Sequence, residues 1–401
     1  MQHLYSIIQK KRFIYFLFFG LSLFVVVKGV ATHQTFNNFT IFRYNFIHTI
    51  HQQNLYNYYP EVYNDLNHYG PAFSIIIAPF AVLPPSIGVI MWVLFNVAVL
   101  FTAIRLLPIR DGGKTIILLI CAHELMTTST NVQSNGMMAG LIILSFNFIN
   151  RKKDFWAALF IVLGTFIKLY GVVGLAFFFF SDNKLKLITG LIFWSIVMFL
   201  LPMAISSPSF IIQTYRDWYH DLVAKNNENQ GSFLQEISVS GFIRKVLRYE
   251  SLKNIQVIAP ALLLFGLSYL RIKSYKILSY QLLILSSVLI FAVIFSSSAE
   301  SSTYIIAFAG VAIWFMNLNR PVTKFEIFLL VFAIILTSFS PSDLFPRSVR
   351  MDYVVPYKLK SLPCFLIWLR IIYESLTRNF TVEEQDLLND KIGADTALVS
   401  L

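Results

Sequence analysis

The chain has 401 residues, of which 56% are hydrophobic and 13% charged, with a mean hydropathy of +0.65. Those values exclude a water-soluble globular domain of this length, which has no way to hide so much apolar surface. The net charge of +11 does not point to nucleic acid, because the basic residues fall in short clusters between apolar runs rather than on one soluble face.

Repeated apolar runs of about 15 to 22 residues suit helices crossing a hydrocarbon core of about 30 Å, and the two-residue alternation of barrel strands is missing. The expected fold is an all-α polytopic membrane protein. Its first run, residues 13–30, follows Lys10-Lys11-Arg12, which keeps the N-terminus cytosolic and sends residues 31–70 outside. Gly29-Val30-Ala31 resembles a signal-peptide cleavage site, but the run is long for a leader and Lys28 interrupts its end, which favours a retained span. Basic clusters at Arg105, Arg110 and Lys114, at Arg151-Lys152-Lys153, at Lys184 and Lys186, at Arg271, Lys273 and Lys276, and at Arg320 and Lys324 all fall inside if the chain crosses about twelve times. Cys121 and Cys364 lie far apart in apolar segments and form neither a metal spacing nor a disulfide framework.

Taken in order, the segment 31–70 is rich in Tyr and Asn, carries Glu61 and Asp65, and reads as an external loop ending in Tyr69-Gly70-Pro71. The run 72–83 rises only about 18 Å as a helix and contains Pro79, so it reads as a re-entrant or surface piece. Residues 87–107 are long enough to cross and carry Asn96, read as an interhelical hydrogen-bonding residue. Residues 126–135 read as a polar outer loop, with Gln133 and Asn135 opening the next span. The run 155–180 is interrupted by Lys168 and has basic clusters at both ends, so the charge rule prefers a tight hairpin turning at Lys168-Leu169-Tyr170-Gly171. An ammonium at that depth needs an anion or carbonyls, which makes Lys168 a site candidate; snorkelling from a helix end is the blander alternative.

Residues 206–254 form the longest external segment, with an amphipathic surface helix over 210–223 and a polar turn over 226–231. Asp217 and His220 have a metal-compatible spacing, yet no third ligand stands nearby, and neither a metal nor a cofactor is expected. The serine-rich stretch 296–302 puts Glu300 at the outer face, either as a helix-terminal cap or as a site residue. Residues 341–356 are a further external loop. The acidic stretch 381–401 reads as a flexible cytosolic tail, leaving 1–380 as a single transmembrane domain.

Three blocks carry a resemblance: Tyr69-Gly70-Pro71 with Ala78-Pro79-Phe80, Leu83-Pro84, Trp92 and Asn96; then Val132-Gln133-Ser134-Asn135; then Gly164 to Tyr170 with Lys168. In order and spacing the chain resembles the polyprenyl-phosphate-dependent mannosyltransferase-like proteins of glycosyltransferase family 87, multi-span enzymes of the GT-C class. The resemblance implies an inverting transfer of a sugar, mannose among the candidates, from a polyprenyl phosphate to a glycolipid or glycan acceptor. The expected setting is the outer face of the plasma (inner) membrane, with both termini cytosolic, membrane lipid as a partner and no nucleic acid. Lys168 then suits the donor phosphate, with Tyr170, Gln133, Asn135, Asn38, Tyr69 and His220 as substrate-binding candidates. One departure matters. Asn38 stands where the resemblance calls for a catalytic Asp, and an amide cannot accept a proton, so the base must come from Asp65, Glu300 or Glu61, with Asp65 favoured. A lipid transporter or flippase is the rival class, opposed by the lack of an inverted repeat in the hydropathy. A catalytically silent glycolipid-binding homologue is the third reading.

Overall fold

The computed structural model describes residues 11–229, 235–319 and 321–380. The stretch expected to form a flexible tail, 381–401, lies outside them. Among the described residues every regular element is helical. Helices α1 (Lys11–Ala31), α4 (Pro85–Arg105) and α8 (Lys184–Leu200), the last extended by a 3₁₀ turn Leu201–Ala204, are each 21 residues long and predominantly apolar, enough to cross a membrane. Helix length and composition single out these three among the described residues, fewer than the crossings expected from the charge pattern. The other apolar helices are shorter: α6 (Asn135–Asn150), α7 (Asp154–Ile167), a 3₁₀ helix (Leu169–Phe180), α11 (Asn254–Ser268), α12 (Leu278–Ile294) and α13 (Tyr304–Met316).

Burial sorts them into centre and rim. Helices α6, α12 and α13 are covered almost all round, as an all-apolar helix must be to sit at a core. At the rim, α8 and α11 turn Leu185 (71% exposed) and Leu263 (74%) outward along with further Ile and Leu. Apolar faces of that extent suit lipid tails and not water, so the chain is a membrane protein. Asn96 joins α4 to α6: its Nδ2 donates to Trp92 O at 2.9 Å and its Oδ1 accepts from Met137 N at 3.1 Å.

Several loop boundaries differ from the sequence reading. Residues 31–70 are not loop throughout, since α2 (Asn37–Ile50) packs on the short α3 (Phe73–Ala81). Phe42 on α2 meets Tyr69, Phe73 and Trp92 edge-on at 4.8, 5.2 and 5.8 Å, and that apolar anchor holds the helix despite its amide-rich surface. Helix α5 (Asp111–Thr130) runs further than expected and leaves only 131–134 as a turn; Thr127 and Thr130 donate back to the carbonyls of His123 and Met126, which satisfies them within the helix. Helix α9 (Pro208–Asn229) likewise outlasts the expected 210–223, so 226–229 are helical rather than a turn, while 230–231 lie outside the described residues. The stretch 341–356, expected as a loop, contains helical turns, Arg347–Val349 and the π-helical Arg350–Val354. Two further helices, α10 (Val239–Leu247) and α14 (Lys324–Phe332), precede the last, α15 (Ser361–Thr377).

The hairpin expected at Lys168 is present. Helix α7 stops where Lys168 turns extended (φ −157°, ψ 120°), and the chain returns as a 3₁₀ helix of 12 residues. Gly171 lets the two arms touch: a Cβ there would stand 2.3 Å from Gly164 C and Thr165 N. Burial on the returning arm has a period of three, with Gly171, Gly174, Phe177 and Phe180 covered and Leu169, Val172 and Leu175 facing out. That is the register of three residues per turn. Gly171→Ala is expected to destabilise the fold by about 1–3 kcal/mol, the usual cost of overpacking, read as a lowered unfolding temperature in detergent. Cysteines at Asn64 and Ser298 should be labelled from the same side of sealed vesicles, because both flank one cavity.

Candidate active site

The turn of the hairpin opens into a cavity of about 380 Å³ walled by α2, the segment before α3, α9, the start of α12's following loop and the hairpin itself. Lys168 points its ammonium at this space, with Asn135 Oδ1 at 3.4 Å and the ring centroids of Tyr69 and Tyr170 each at 5.5 Å. The backbone of Lys168 is held on both sides, since its N–H bonds Gly164 O at 3.0 Å and the preceding carbonyl, Ile167 O, accepts from Gly70 N at 3.1 Å. That last bond needs glycine, because a Cβ on residue 70 would sit 2.1 Å from Phe166 O.

Tyr69 donates to Gln133 Oε1 at 3.2 Å and pairs with Ser134 Oγ at 2.8 Å. Burial pushes its phenol well above the ordinary tyrosine range, so it stays a neutral donor. Tyr170 Oη meets Ser296 Oγ at 3.1 Å, joining the hairpin to the serine loop 296–302. The same loop is tied to the end of α9, where Ser297 donates to Asn226 Oδ1 at 2.8 Å and Asn229 donates to Ser298 Oγ at 2.9 Å. These bonds explain why the Asn-rich end of α9 stays helical.

Of the residues singled out from sequence, Asn38, Asp65, Tyr69, Gln133, Lys168, Tyr170 and Glu300 line the cavity, and Asn135 stands buried behind Lys168. Glu61 and His220 are exposed and lie off its wall. Asp217 and His220 do not assemble as a ligand pair: Asp217 is engaged by Asn54 at 3.0 Å and Gln213 at 2.8 Å, and no His, Cys, Asp and Glu cluster suited to a metal occurs among the described residues. Asn38 donates to Asn131 O at 2.8 Å.

The sequence shows Asp221 in a cluster with Asp217, Trp218, Tyr219 and His220 but gives no site role to it, to His68 or to Lys225. His68 and Lys225 line the cavity, Asp221 stands on α9 between Trp218 and Lys225, and His68 Nδ1 lies 2.9 and 3.1 Å from the two oxygens of Asp221. The pair is 153 residues apart in sequence, so only the fold brings it together. The available local signal was Asp217, Trp218 and Asp221 sharing one face of α9 at helical spacing.

Behind the site lies a buried ion pair. Lys360 Nζ is 2.8 Å from Glu124 Oε1 and also donates to Ser301 O at 2.8 Å and Ser301 Oγ at 3.0 Å, while Thr128 donates to Ser302 O at 2.7 Å. Glu300 N bonds Thr303 Oγ1 at 3.2 Å, so the short 3₁₀ turn Ser301–Thr303 is pinned from both ends.

The sequence profile of glycosyltransferase family 87 matches residues 67–297, more than half of the chain. The chain belongs to that family. It is therefore a membrane glycosyltransferase by family, with a sugar donor and an acceptor as its substrates. His68, Tyr69, Gln133, Lys168, Tyr170 and Asp221 fall inside the family 87 match; Asn38, Glu300 and Lys360 fall outside it. No curated protein matches the chain.

Breaking the buried pair with Lys360→Met is expected to cost about 3–5 kcal/mol, because Glu124 would be left buried without its partner. The double replacement Glu124→Met with Lys360→Met should cost markedly less, a difference that thermal unfolding of the three variants in one detergent resolves.

Proposed function

We propose that this family 87 protein moves a sugar, with mannose among the candidates, from a polyprenyl-phosphate-linked donor to a glycolipid or glycan acceptor. The transfer is inverting and takes place on the extracytoplasmic face of the plasma (inner) membrane, in a GT-C-like fold that crosses the membrane about twelve times with both termini cytosolic.

The observation that carries this reading is the state of Lys168. Its ammonium has two aromatic faces and one amide oxygen as neighbours, and no ion-pair partner among the described residues. A cation beside an apolar hairpin with no carboxylate within ion-pair distance is costly, and a phosphate docked in the cavity supplies a direct anionic partner. The same group then serves the reaction, since negative charge builds on the phosphate oxygens as the sugar leaves them. Tyr69, Tyr170, Gln133 and the serines offer the neutral donors that orient phosphate and sugar, with Asn135 holding the ammonium from behind. The acceptor hydroxyl attacks the anomeric carbon from the face opposite the phosphate and gives up its proton to a base in the cavity wall. Asp65 and Glu300 are the carboxylates in that wall.

In reconstituted vesicles, wild-type protein is expected to transfer labelled sugar from a polyprenyl phosphate donor to a lipid acceptor. Lys168→Met should weaken donor binding by about 10- to 100-fold, the worth of one charge-assisted hydrogen bond of about 1.5–3 kcal/mol. Unchanged donor affinity and transfer in that variant would return Lys168 to a snorkelling role. Glycolipid binding by the wild type without transfer from any donor would identify a silent homologue.

A further inference from the structure

We infer that His68, aligned by Asp221, takes the acceptor's proton in the transfer proposed above, on which this inference rests. His68 lies in the cavity wall on the segment leading into Tyr69-Gly70-Pro71. Both oxygens of Asp221 face its Nδ1, and the Asp221 side chain is only 7% exposed. An ionised carboxylate can only accept, so Nδ1 carries the ring proton and Nε2 keeps its lone pair. Nε2 is shielded from solvent and has no hydrogen-bond partner among the described residues. A buried polar atom without a partner costs about 1–3 kcal/mol, and native structures keep few of them. Here the orphan belongs to a residue of the cavity wall, where an incoming hydroxyl is the partner it lacks. Because the nitrogen is closed to contact with a water-sized molecule, acceptor docking has to displace what covers it before the hydroxyl meets the ring.

The ring is fixed in the manner a positioned base requires. Trp218, on the same helix as Asp221, donates from Nε1 to His68 O at 3.1 Å, and Tyr56 Oη donates to the next carbonyl, Tyr69 O, at 3.0 Å. Backbone and imidazole of His68 are thus both set by α9. The carboxylates of the cavity are less suited. Asp65 is exposed, and its Oδ1 already accepts from Leu66 N at 2.8 Å. Glu300 precedes the 3₁₀ turn that leads into α13, where an acid serves the helix end.

The step balances on these groups. The acceptor O–H proton passes to His68 Nε2 while that oxygen bonds to the anomeric carbon; the bond from this carbon to the phosphate oxygen breaks, and its electron pair leaves with the lipid phosphate beside Lys168. Asp221 neutralises the imidazolium until its proton is released to water with the product. Asp221 is therefore a positioning residue and His68 the catalytic one.

The test measures transfer of labelled sugar from a polyprenyl phosphate donor in vesicles, with kcat, the two KM values and affinity for unlabelled polyprenyl phosphate followed for each variant. His68→Gln is expected to lower kcat by about 10²- to 10⁴-fold with polyprenyl phosphate affinity unchanged. Asp221→Asn keeps a hydrogen-bond acceptor but loses the charge, and should lower kcat by about tenfold or more at constant KM. If His68→Gln does not fold, Asp221→Asn alone decides. With an active wild type, a kcat within about threefold of it in either folded variant overturns the inference and leaves the transferase reading standing, as does a larger loss in Asp65→Asn or Glu300→Gln than in His68→Gln. A wild type that transfers nothing from any polyprenyl phosphate sugar overturns both.

Discussion

Backbone meeting backbone at glycines is the constraint on which the site depends. Gly171 lies against Gly164 and Gly70 against Phe166 O, at separations that leave no room for a Cβ. With the chain clamped on both sides, α7 cannot continue past Ile167, and Lys168 takes an extended conformation between two apolar arms. A lysine in the middle of a continuous helix would face lipid or the packed core. At a break it can extend into a polar cavity, so the ammonium's location follows from steric contacts several residues away.

The cavity's other walls are joined through α9. This helix and the residue before it are bonded to the segment 51–70, by Ser207 to Gln52 at 2.9 Å, Asn54 to Asp217, and Asp221 to His68. Its far end is bonded to the serine loop through Asn226 and Asn229. That loop would be a soft attachment by itself, but Lys360 and Thr128 hold the carbonyls of Ser301 and Ser302 from the buried side. A charged pair in the interior is a poor source of net stability. Its use here is to fix the serine loop, which keeps α9 and the hairpin in register around one space.

Much of this was legible in sequence where a residue violated its surroundings. Lys168 was conspicuous because charge in an apolar run is costly and because basic clusters flanked both ends of that run; a hairpin resolved both conflicts. Asn96 could be read as a bridge between helices for the same reason. The helix α2 was hidden because its apolar residues, Phe39, Phe42 and Phe46, are at helical spacing but are diluted by Asn, Thr and Tyr, the composition of a loop. The last turn of α9 was misread because its asparagines find their partners on the serine loop, a tertiary effect that local propensity cannot report. His68 with Asp221 could not be read as a pair, since they stand 153 residues apart and only folding brings them together.

The 3₁₀ arm of the hairpin has a consequence for how this segment can vary. Twelve residues at about 2 Å each reach about 24 Å, some 6 Å further than the same number in an α-helix, so a short stretch of chain returns from the depth of Lys168. Its three side-chain files are nearly straight, and one of them, Gly171, Gly174, Phe177 and Phe180, is the face that meets the neighbouring elements. Adding or deleting one residue between 169 and 180 rotates a different file onto that face and brings Val or Leu against the backbone of α7. Length changes in steps of three preserve the file, so tolerated insertions here should follow a triplet rule, unlike the three-or-four spacing that governs the α-helices around it.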